Sequence, residues 1–282
     1  MYETFYGLRA KPFSLTPDPH FLYLTRHHAM ALTMLEYGLT QQAGFILITG
    51  EVGSGKTTLI RHLLGHLEQD FTVGLISNTH HNFGDLLQWV ALAFGIDFKG
   101  KEHVELYQAL VDFLIEQYGK GQRVVLIVDE AQNLNARTLE ELRVLSNINA
   151  DRHFVLQIVL VGQPELRDKF RRPELRQFAQ RISVDYHLRA LQREETHAYV
   201  QHRLNVAGAG EEILEPDAIE FVHARTGGIP RLINSLCDTA LVYGFAEQRR
   251  RIDAELMAQV VRDRGANGVM PLLADSSAAG LS

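Results

Sequence analysis

Cysteine is nearly absent from this sequence. Its 282 residues include one cysteine, Cys237, which excludes an internal disulfide and suits a reducing compartment. Cys237 lies in an apolar segment with helical spacing, so we expect a buried structural thiol rather than a nucleophile.

Long apolar runs and a leader pattern are also missing. No stretch approaches the roughly 18 apolar residues of a membrane span, and Met1–Leu15 lacks the positive-then-apolar order of a signal peptide. These absences predict a cytoplasmic protein without direct membrane insertion, for which any association with the inner membrane comes through partners.

Positive charge is in deficit. Lysine and arginine number 28 against 34 aspartates and glutamates, which gives a net charge of -6. This balance argues against a wholly basic nucleic-acid binder but leaves a local basic patch open. The remaining composition is that of an ordinary globular protein, long enough for one large or two ordinary domains.

One stretch matches a specific chemical motif. Gly50–Thr57 reads GEVGSGKT and fills every fixed position of the phosphate-binding loop G-x-x-x-x-G-K-[ST]. We expect the glycines at 50, 53 and 55 to adopt backbone conformations closed to other residues and to bring backbone N–H groups around phosphates. We expect Lys56 to reach the β- and γ-phosphates and the Thr57 hydroxyl to bind Mg²⁺. The predicted nucleotide contacts in the loop are Gly50, Glu51, Val52, Gly53, Ser54, Gly55, Lys56, Thr57 and Thr58.

The order of apolar patterns predicts the fold. Short apolar runs alternate with helix-spaced segments over about 160 residues, which indicates an α/β fold with a doubly wound, five-stranded parallel sheet and its ligand at the carboxyl ends of the strands. The predicted strands are Phe45–Thr49, Phe71–Ser77, Val124–Val128, Phe154–Val161 and Ile182–Leu188.

The ends of the chain follow other patterns. Beyond Leu191 four helix-spaced segments predict a small helical lid domain. These segments are Arg193–Ala207, Pro216–Thr226, Pro230–Ala246 and Asp253–Arg264. The first 27 residues mix prolines with aromatics, which suits an extended arm rather than a helix. We therefore predict an N-terminal arm at 1–27, a phosphate-loop core at 28–190, a lid at 191–264 and a flexible tail at 265–282.

An acidic pair follows the third predicted strand. Asp129 can hold Mg²⁺ there, and Glu130 can activate a water molecule that attacks the γ-phosphate. The alternative is a helix N-cap with an acid in the first turn. The phosphate loop upstream favours the catalytic interpretation.

Two motifs together resemble a known family. GEVGSGKTT (Gly50–Thr58) with VVLIVDEAQNL (Val124–Leu134) resembles the AAA+ ATPases. The similarity extends to the secretion-pathway protein A ATPases, which include the ATPase of type II secretion and relatives encoded with pilus or exopolysaccharide-export systems. Its further motifs are FYGLRAKPFSLTPDPHFLYLT (Phe5–Thr25), LVGQPELRDKF (Leu160–Phe170) and TGGIPRLIN (Thr226–Asn234).

The resemblance, from about residue 2 to 264, implies an activity and partners. It implies an enzyme that hydrolyses ATP with Mg²⁺ and couples nucleotide state to the assembly or remodelling of a cell-envelope secretion, pilus or exopolysaccharide-export complex. Longer relatives carry a membrane span and a peptidoglycan-binding region after the ATPase core. Because this chain ends soon after the lid, we do not expect direct cell-wall binding.

The resemblance also implies roles for single residues. Gln163 stands at the position of the polar sensor, although a turn residue before Pro164 is the alternative. Arg231 matches the second sensor, an arginine of the lid, the alternative being an ordinary charge at a helix start.

Two further roles follow from the resemblance. An arginine finger that completes a neighbour's site is expected at Arg181 or Arg176, of which we favour Arg181, and this finger implies a homo-oligomer. Asn78 is placed to hold Glu130 by a hydrogen bond, with a simple loop asparagine as the alternative.

Two other functions stay open at this point. A DNA-associated ATPase of the transposition-helper or loader type is motivated by Arg171, Arg172, Arg176 and Arg249–Arg251, while the acidic net charge weighs against it. A nucleotide-gated scaffold that hydrolyses slowly is the other, and the intact acidic pair argues against that.

Overall fold

The computed structural model describes residues 1–16, 18–67, 70–77, 85–150 and 153–267, together with Leu272. The chain divides into two compact units. The core unit joins Arg26–Glu51 with Leu59–Leu188, and the lid unit joins Met1–Thr25, Val52–Thr58 and Arg189–Ser282. Among the described residues no helix is both long and apolar enough to cross a bilayer.

Seven strands and twelve α-helices are described. The strands are β1 (Phe45–Gly50), β2 (Phe71–Ile76), β3 (Arg123–Val128), β4 (Asn149–Ala150), β5 (His153–Phe154), β6 (Leu156–Gly162) and β7 (Ile182–Leu188). The helices are α1 (Tyr2–Tyr6), α2 (Arg26–Thr40), α3 (Lys56–Leu67), α4 (Leu86–Ala93), α5 (His103–Gly119), α6 (Ala136–Leu145), α7 (Pro164–Phe170), α8 (Arg176–Ala179), α9 (Arg193–Val206), α10 (Pro216–Thr226), α11 (Pro230–Ala246) and α12 (Ala254–Asn267).

Five strands of the core unit form one parallel sheet in the order β2-β3-β6-β1-β7. The three central strands are almost continuous runs of aliphatic residues because both of their faces are buried. Since the strands are parallel and in register, with Val128 opposite Leu160 and Thr49 opposite Gly162, their carboxyl ends meet at one edge. The predicted five-stranded parallel sheet is therefore confirmed.

The side chains of the central strands alternate between two apolar clusters. Leu126 and Ile158 point to the cluster built with α4 to α8, whereas Val125 and Val159 point to the cluster built with α2 and α3. Because helices cover both faces, the sheet is doubly wound, as predicted.

The lid unit is helical, and its core includes the start of the chain. Helices α9 to α12 pack around a cluster that also buries Tyr2, Tyr6, Phe13 and Phe21. The prediction of an extended arm is wrong for its first residues, which form α1 and end at Gly7 in the left-handed region with φ +69°. The prolines of the arm follow this helix rather than interrupt it, so they do not prevent it.

Hydrogen bonds fix the arm to the lid helices. The Tyr2 hydroxyl donates to Asp238 Oδ1 at 2.5 Å, and the Tyr6 hydroxyl donates to the Arg249 carbonyl at 3.0 Å. The buried Arg203 guanidinium donates to the Pro12 carbonyl and lies over the Phe21 ring at 5.0 Å. The arm is therefore part of the hydrophobic core of the lid.

The single cysteine lies in the same core. Cys237 is fully buried in α11, and burial raises the pKa of its thiol well above the usual range. A buried, protonated thiol is unreactive, as expected from its apolar segment.

Candidate nucleotide-binding and hydrolysis site

The phosphate-binding loop lies between β1 and α3. Gly53 and Gly55 adopt left-handed backbone conformations, with φ of +81° and +100°. Gly50 is the last residue of β1 and is not in that region, so the expectation that it needs a special conformation is wrong. Lys56 is buried at the first turn of α3, where backbone N–H groups have no partner within the helix and attract anions.

The loop contacts α11 within the lid unit. The Arg231 backbone N–H donates to the Gly53 carbonyl at 3.2 Å, and a Cβ added at Gly53 would lie 2.5 Å from the Arg231 Cβ. A side chain at position 53 would therefore separate the loop from α11. The structure places the predicted second sensor directly against the loop.

A glycine pair sets the start of α11. Gly227 and Gly228 both have positive φ, +57° and +74°. A Cβ at Gly228 would lie 1.9 Å from the Leu191 carbonyl oxygen, so no other residue fits there without a shift of the backbone. This close approach positions Pro230 and Arg231 at the first turn of α11.

The acidic pair begins the turn after β3. The Asp129 N–H donates to the Ile76 carbonyl at 2.8 Å, which extends the pairing of β3 with β2, and Asp129 Oδ1 accepts from the Glu130 N–H at 2.9 Å. Glu130 has φ +53°, a left-handed conformation that is uncommon for a glutamate and that Gln42 and Gln248 share elsewhere in the described chain. Glu130 occupies the N-cap position of the 3-10 helix Ala131–Asn133, but its side chain makes no capping hydrogen bond there.

Two glutamine amides hold the Glu130 carboxylate. Glu130 Oε2 accepts from Gln132 Nε2 at 2.5 Å and from Gln163 Nε2 at 3.2 Å. Gln163 follows β6, the neighbour of β3, so the sheet order brings these two predicted residues together. Gln132 was not predicted. The only signal for it in the sequence is an amide two residues after Glu130 in a turn.

A lysine of α7 fixes the same turn. Lys169 Nζ donates to the carbonyls of Gln132 and Leu134, the second at 2.7 Å. Burial is the main cause that lowers the pKa of Lys169, and the nearby Arg172 contributes to the shift. Lys169 also lies outside the predicted site residues.

The finger candidates lie between α7 and β7. Arg176 is exposed at the start of α8. Arg181 is half-buried, and its guanidinium donates to Asn147 Oδ1 and to Ser146 Oγ. Asn78, predicted to hold Glu130, lies outside the described residues.

The donor chemistry fits magnesium better than a metal held by many side chains. In the described part of the chain no three histidine, cysteine, aspartate or glutamate side chains are grouped to hold a metal. Mg²⁺ is usually held by one or two protein oxygens together with water and substrate phosphates. One carboxylate, Asp129, and one hydroxyl, Thr57, are donors of that kind.

Three of the six arginines that suggested DNA binding, Arg171, Arg172 and Arg249, have acidic partners among the described ion pairs. Arg171 pairs with Asp168 at 2.9 Å, and Arg249 pairs with Glu247 at 3.0 Å. Arg250 lies over the Phe5 ring at 4.5 Å. These arginines therefore attract the phosphates of DNA less strongly than the same number of unpaired arginines would.

Comparisons with known proteins show sequence similarity to one domain family and to one secretion protein. Residues 39–170 match the AAA domain family. General secretion pathway protein A of Aeromonas hydrophila is 43% identical over 97% of this chain, which spans 52% of that relative, about half of its length.

Solved structures share the fold. CDC6P of Pyrobaculum aerophilum has a TM-score of 0.69 at 17% identity, and ORC2 of Aeropyrum pernix, solved in ADPNP-ADP complexes, has a TM-score of 0.67 at 19% identity. Each match covers 96% of this chain and 74% of the other. At such low identity the likeness is one of fold alone.

Proposed function

We propose that this chain is a AAA+ ATPase of the secretion-pathway protein A family, which hydrolyses ATP and couples this reaction to the assembly or remodelling of a cell-envelope secretion, pilus or exopolysaccharide-export complex. The observation that carries the hydrolysis is the Glu130 carboxylate, held by two amides at the end of β3 on a left-handed backbone. A residue that only capped a helix would need neither feature.

Each residue has a role in the proposed reaction. The loop N–H groups and Lys56 bind the phosphates, Thr57 and Asp129 hold Mg²⁺, and Glu130 accepts the proton of the attacking water. When bound, Mg²⁺ neutralises charge on the phosphates. Gln163 is close enough to Glu130 to orient the same water.

Arg231 would report nucleotide occupancy to the lid. Its backbone already contacts the loop at Gly53, so a change in the loop acts directly on the start of α11. The guanidinium at this position attracts the negative charge of bound phosphates. Binding would therefore favour one position of α11, and hydrolysis would release it.

The site is proposed to be shared between copies of the chain. Arg181 is the favoured finger, because its described partners, Asn147 and Ser146, are neutral oxygens that leave its positive charge uncompensated. A guanidinium in this state can be drawn to a phosphate of a neighbouring subunit. The proposed partners beyond the homo-oligomer are proteins of the export system, as the name of the Aeromonas hydrophila relative suggests.

Substitution of Glu130 tests the proposal. We expect Glu130→Gln to retain the affinity for a fluorescent ATP analogue while steady-state phosphate release falls by roughly 10² to 10⁴-fold, since only the proton acceptor is removed. Lys56→Ala should instead show no binding of the ATP analogue. Equal turnover in Glu130→Gln and wild type would remove Glu130 from the mechanism, and binding without any turnover in wild type would favour the nucleotide-gated scaffold.

A salt series separates the envelope function from DNA association. We expect phosphate release to be the same with and without duplex DNA at each salt concentration, because three of the six candidate arginines have acidic partners and Arg250 lies over the Phe5 ring. Stimulation by DNA that disappears as salt rises would favour the DNA-associated function.

A further inference from the structure

Gln132 uses both ends of its side-chain amide. Nε2 donates to Glu130 Oε2 at 2.5 Å, and Oε1 accepts from the Gln163 backbone N–H at 3.0 Å. A carboxylate can only accept and a backbone N–H can only donate, so one orientation of the amide satisfies both bonds. The side chain therefore bridges the turn after β3 and the end of β6.

The space for this bridge depends on a glycine. A Cβ added at Gly162 would lie 2.9 Å from Gln132 Oε1 and 2.8 Å from Leu166 Cδ2, so any side chain at that position would push into the bridging amide. The backbone on the other side of Gln132 is held as well, because Lys169 Nζ donates to its carbonyl. Gln132 is thus confined on both sides.

We propose that Gln132 is a positioning residue for hydrolysis, which ties the Glu130 carboxylate to the start of α7 so that Glu130 and Gln163 keep one mutual orientation. This inference rests on the proposed function, in which Glu130 activates water and Gln163 is the sensor. Both amides converge on the same oxygen, Glu130 Oε2, and the bond from Gln132 is the shorter of the two. Removal of the Gln132 amide therefore deletes the shorter of these two described bonds.

The first test needs no nucleotide. Gln132→Met keeps the length of the side chain but cannot hydrogen-bond, so hydrogen exchange of the Gln163 backbone amide should become roughly three- to tenfold faster. Gly162→Ala should also accelerate hydrogen exchange of the Gln163 amide, because the added Cβ displaces the Gln132 side chain. The matched control is Gln108→Met on α5, where an exposed glutamine bonds only Asp112 among the contacts described. Unchanged exchange at Gln163 in a folded Gln132→Met would overturn the bridge.

The second test measures turnover. Gln132→Met should lower kcat roughly 10- to 100-fold, as is typical when the partner of an active-site group is removed, while KM for ATP stays within about twofold. Gln132→Asn, one methylene shorter, should not restore kcat, because it cannot reach both partners. Far-UV circular dichroism and thermal melting show that each variant is folded.

The outcomes separate this inference from the proposed function. If wild type shows no turnover that depends on Glu130, the proposed function fails and the positioning role fails with it, whereas the exchange experiment still decides whether the bridge exists. If wild-type turnover depends on Glu130 but kcat in Gln132→Met is unchanged or higher, the positioning role alone is overturned.

Discussion

A few glycines determine which residues can contact the phosphate loop. Gly53 combines a left-handed backbone with a close approach to Arg231, so both its conformation and its missing side chain are needed. Gly65, in α3, has no atom within 4 Å of an added Cβ. The two positions therefore respond differently to the same substitution.

Gly53→Ala should weaken nucleotide binding. The strain of a left-handed alanine and the overlap with Arg231 together cost about 1 to 3 kcal/mol, which corresponds to a roughly 5- to 150-fold weaker affinity for an ATP analogue. Titration of the fluorescent analogue measures this. Gly65→Ala is the control: it should stabilise α3 by about 0.5 to 1 kcal/mol and leave the affinity unchanged. Equal affinities in wild type and Gly53→Ala would contradict the close packing of loop and lid helix.

At the scale of elements, α1 is joined to α11 through two tyrosines. Tyr2 and Tyr6 are four residues apart and so lie on one face of α1, which is buried in the lid unit. A Cβ added at Gly244 of α11 would lie 2.2 Å from the Tyr6 hydroxyl. Gly244 thus leaves room for the Tyr6 hydroxyl against α11. Because a helix of five residues is not stable by itself, α1 is stabilised by this packing.

The contact of α1 with α11 should weaken at alkaline pH. Burial raises the pKa of Tyr6 from 10.0 to about 12, so between these values the unfolded chain loses a proton that the folded chain keeps. This contribution to stability is complete below pH 10 and is lost as the pH rises through about 12. Urea denaturation across that range should show a smaller decline for Tyr6→Phe than for wild type, while Tyr37→Phe, an exposed site on α2, should follow wild type.

The bounds of helices and strands whose apolar residues recur with a clear period were predicted closely. The bounds of α10 and α11 are those of the predicted segments, since a proline begins each of them and a glycine ends α10. The predicted bounds of β7 are those of the structure, and the other four predicted strands differ by one or two residues at an end, as in β6. Helices α1, α7 and α8 were missed because four to seven residues do not show a helical period.

The residues of the candidate site that were predicted are those that belong to sequence motifs. The loop, Asp129 and Glu130 follow from fixed spacings, and the parallel sheet explains why Gln163 lies beside Glu130. Gln132 and Lys169 lie inside the quoted motifs, but the contact of Gln132 with Gln163 and that of Lys169 with Gln132 join positions 31 and 37 residues apart, which the sequence alone does not reveal. The roles of all these residues in catalysis stay predictions.

For the whole molecule, the shared site is the property to test. We expect Glu130→Gln and Arg181→Ala each to abolish turnover alone. When the two are mixed before ATP is added, some interfaces pair an intact Glu130 with an intact Arg181, so phosphate release should exceed the sum of the separate proteins. Arg176→Ala in the same mixture identifies the finger: whichever arginine variant is complemented by Glu130→Gln supplies it. If neither Arg181→Ala nor Arg176→Ala is complemented by Glu130→Gln, neither arginine completes the site of a neighbouring subunit.

The burial of α1 in the lid also determines when the protein can finish folding during synthesis. Tyr2 bonds Asp238, a partner 236 residues later in the chain. At a synthesis rate of about 5 to 20 residues per second, roughly 10 to 50 seconds pass before that partner exists. In this interval the apolar side chains of α1 have no native surface to cover them. The residues of the core unit precede Asp238 in the sequence, so this unit can already fold. The lid is therefore completed later than the core unit on the ribosome, and α1 waits for its native contacts throughout this interval.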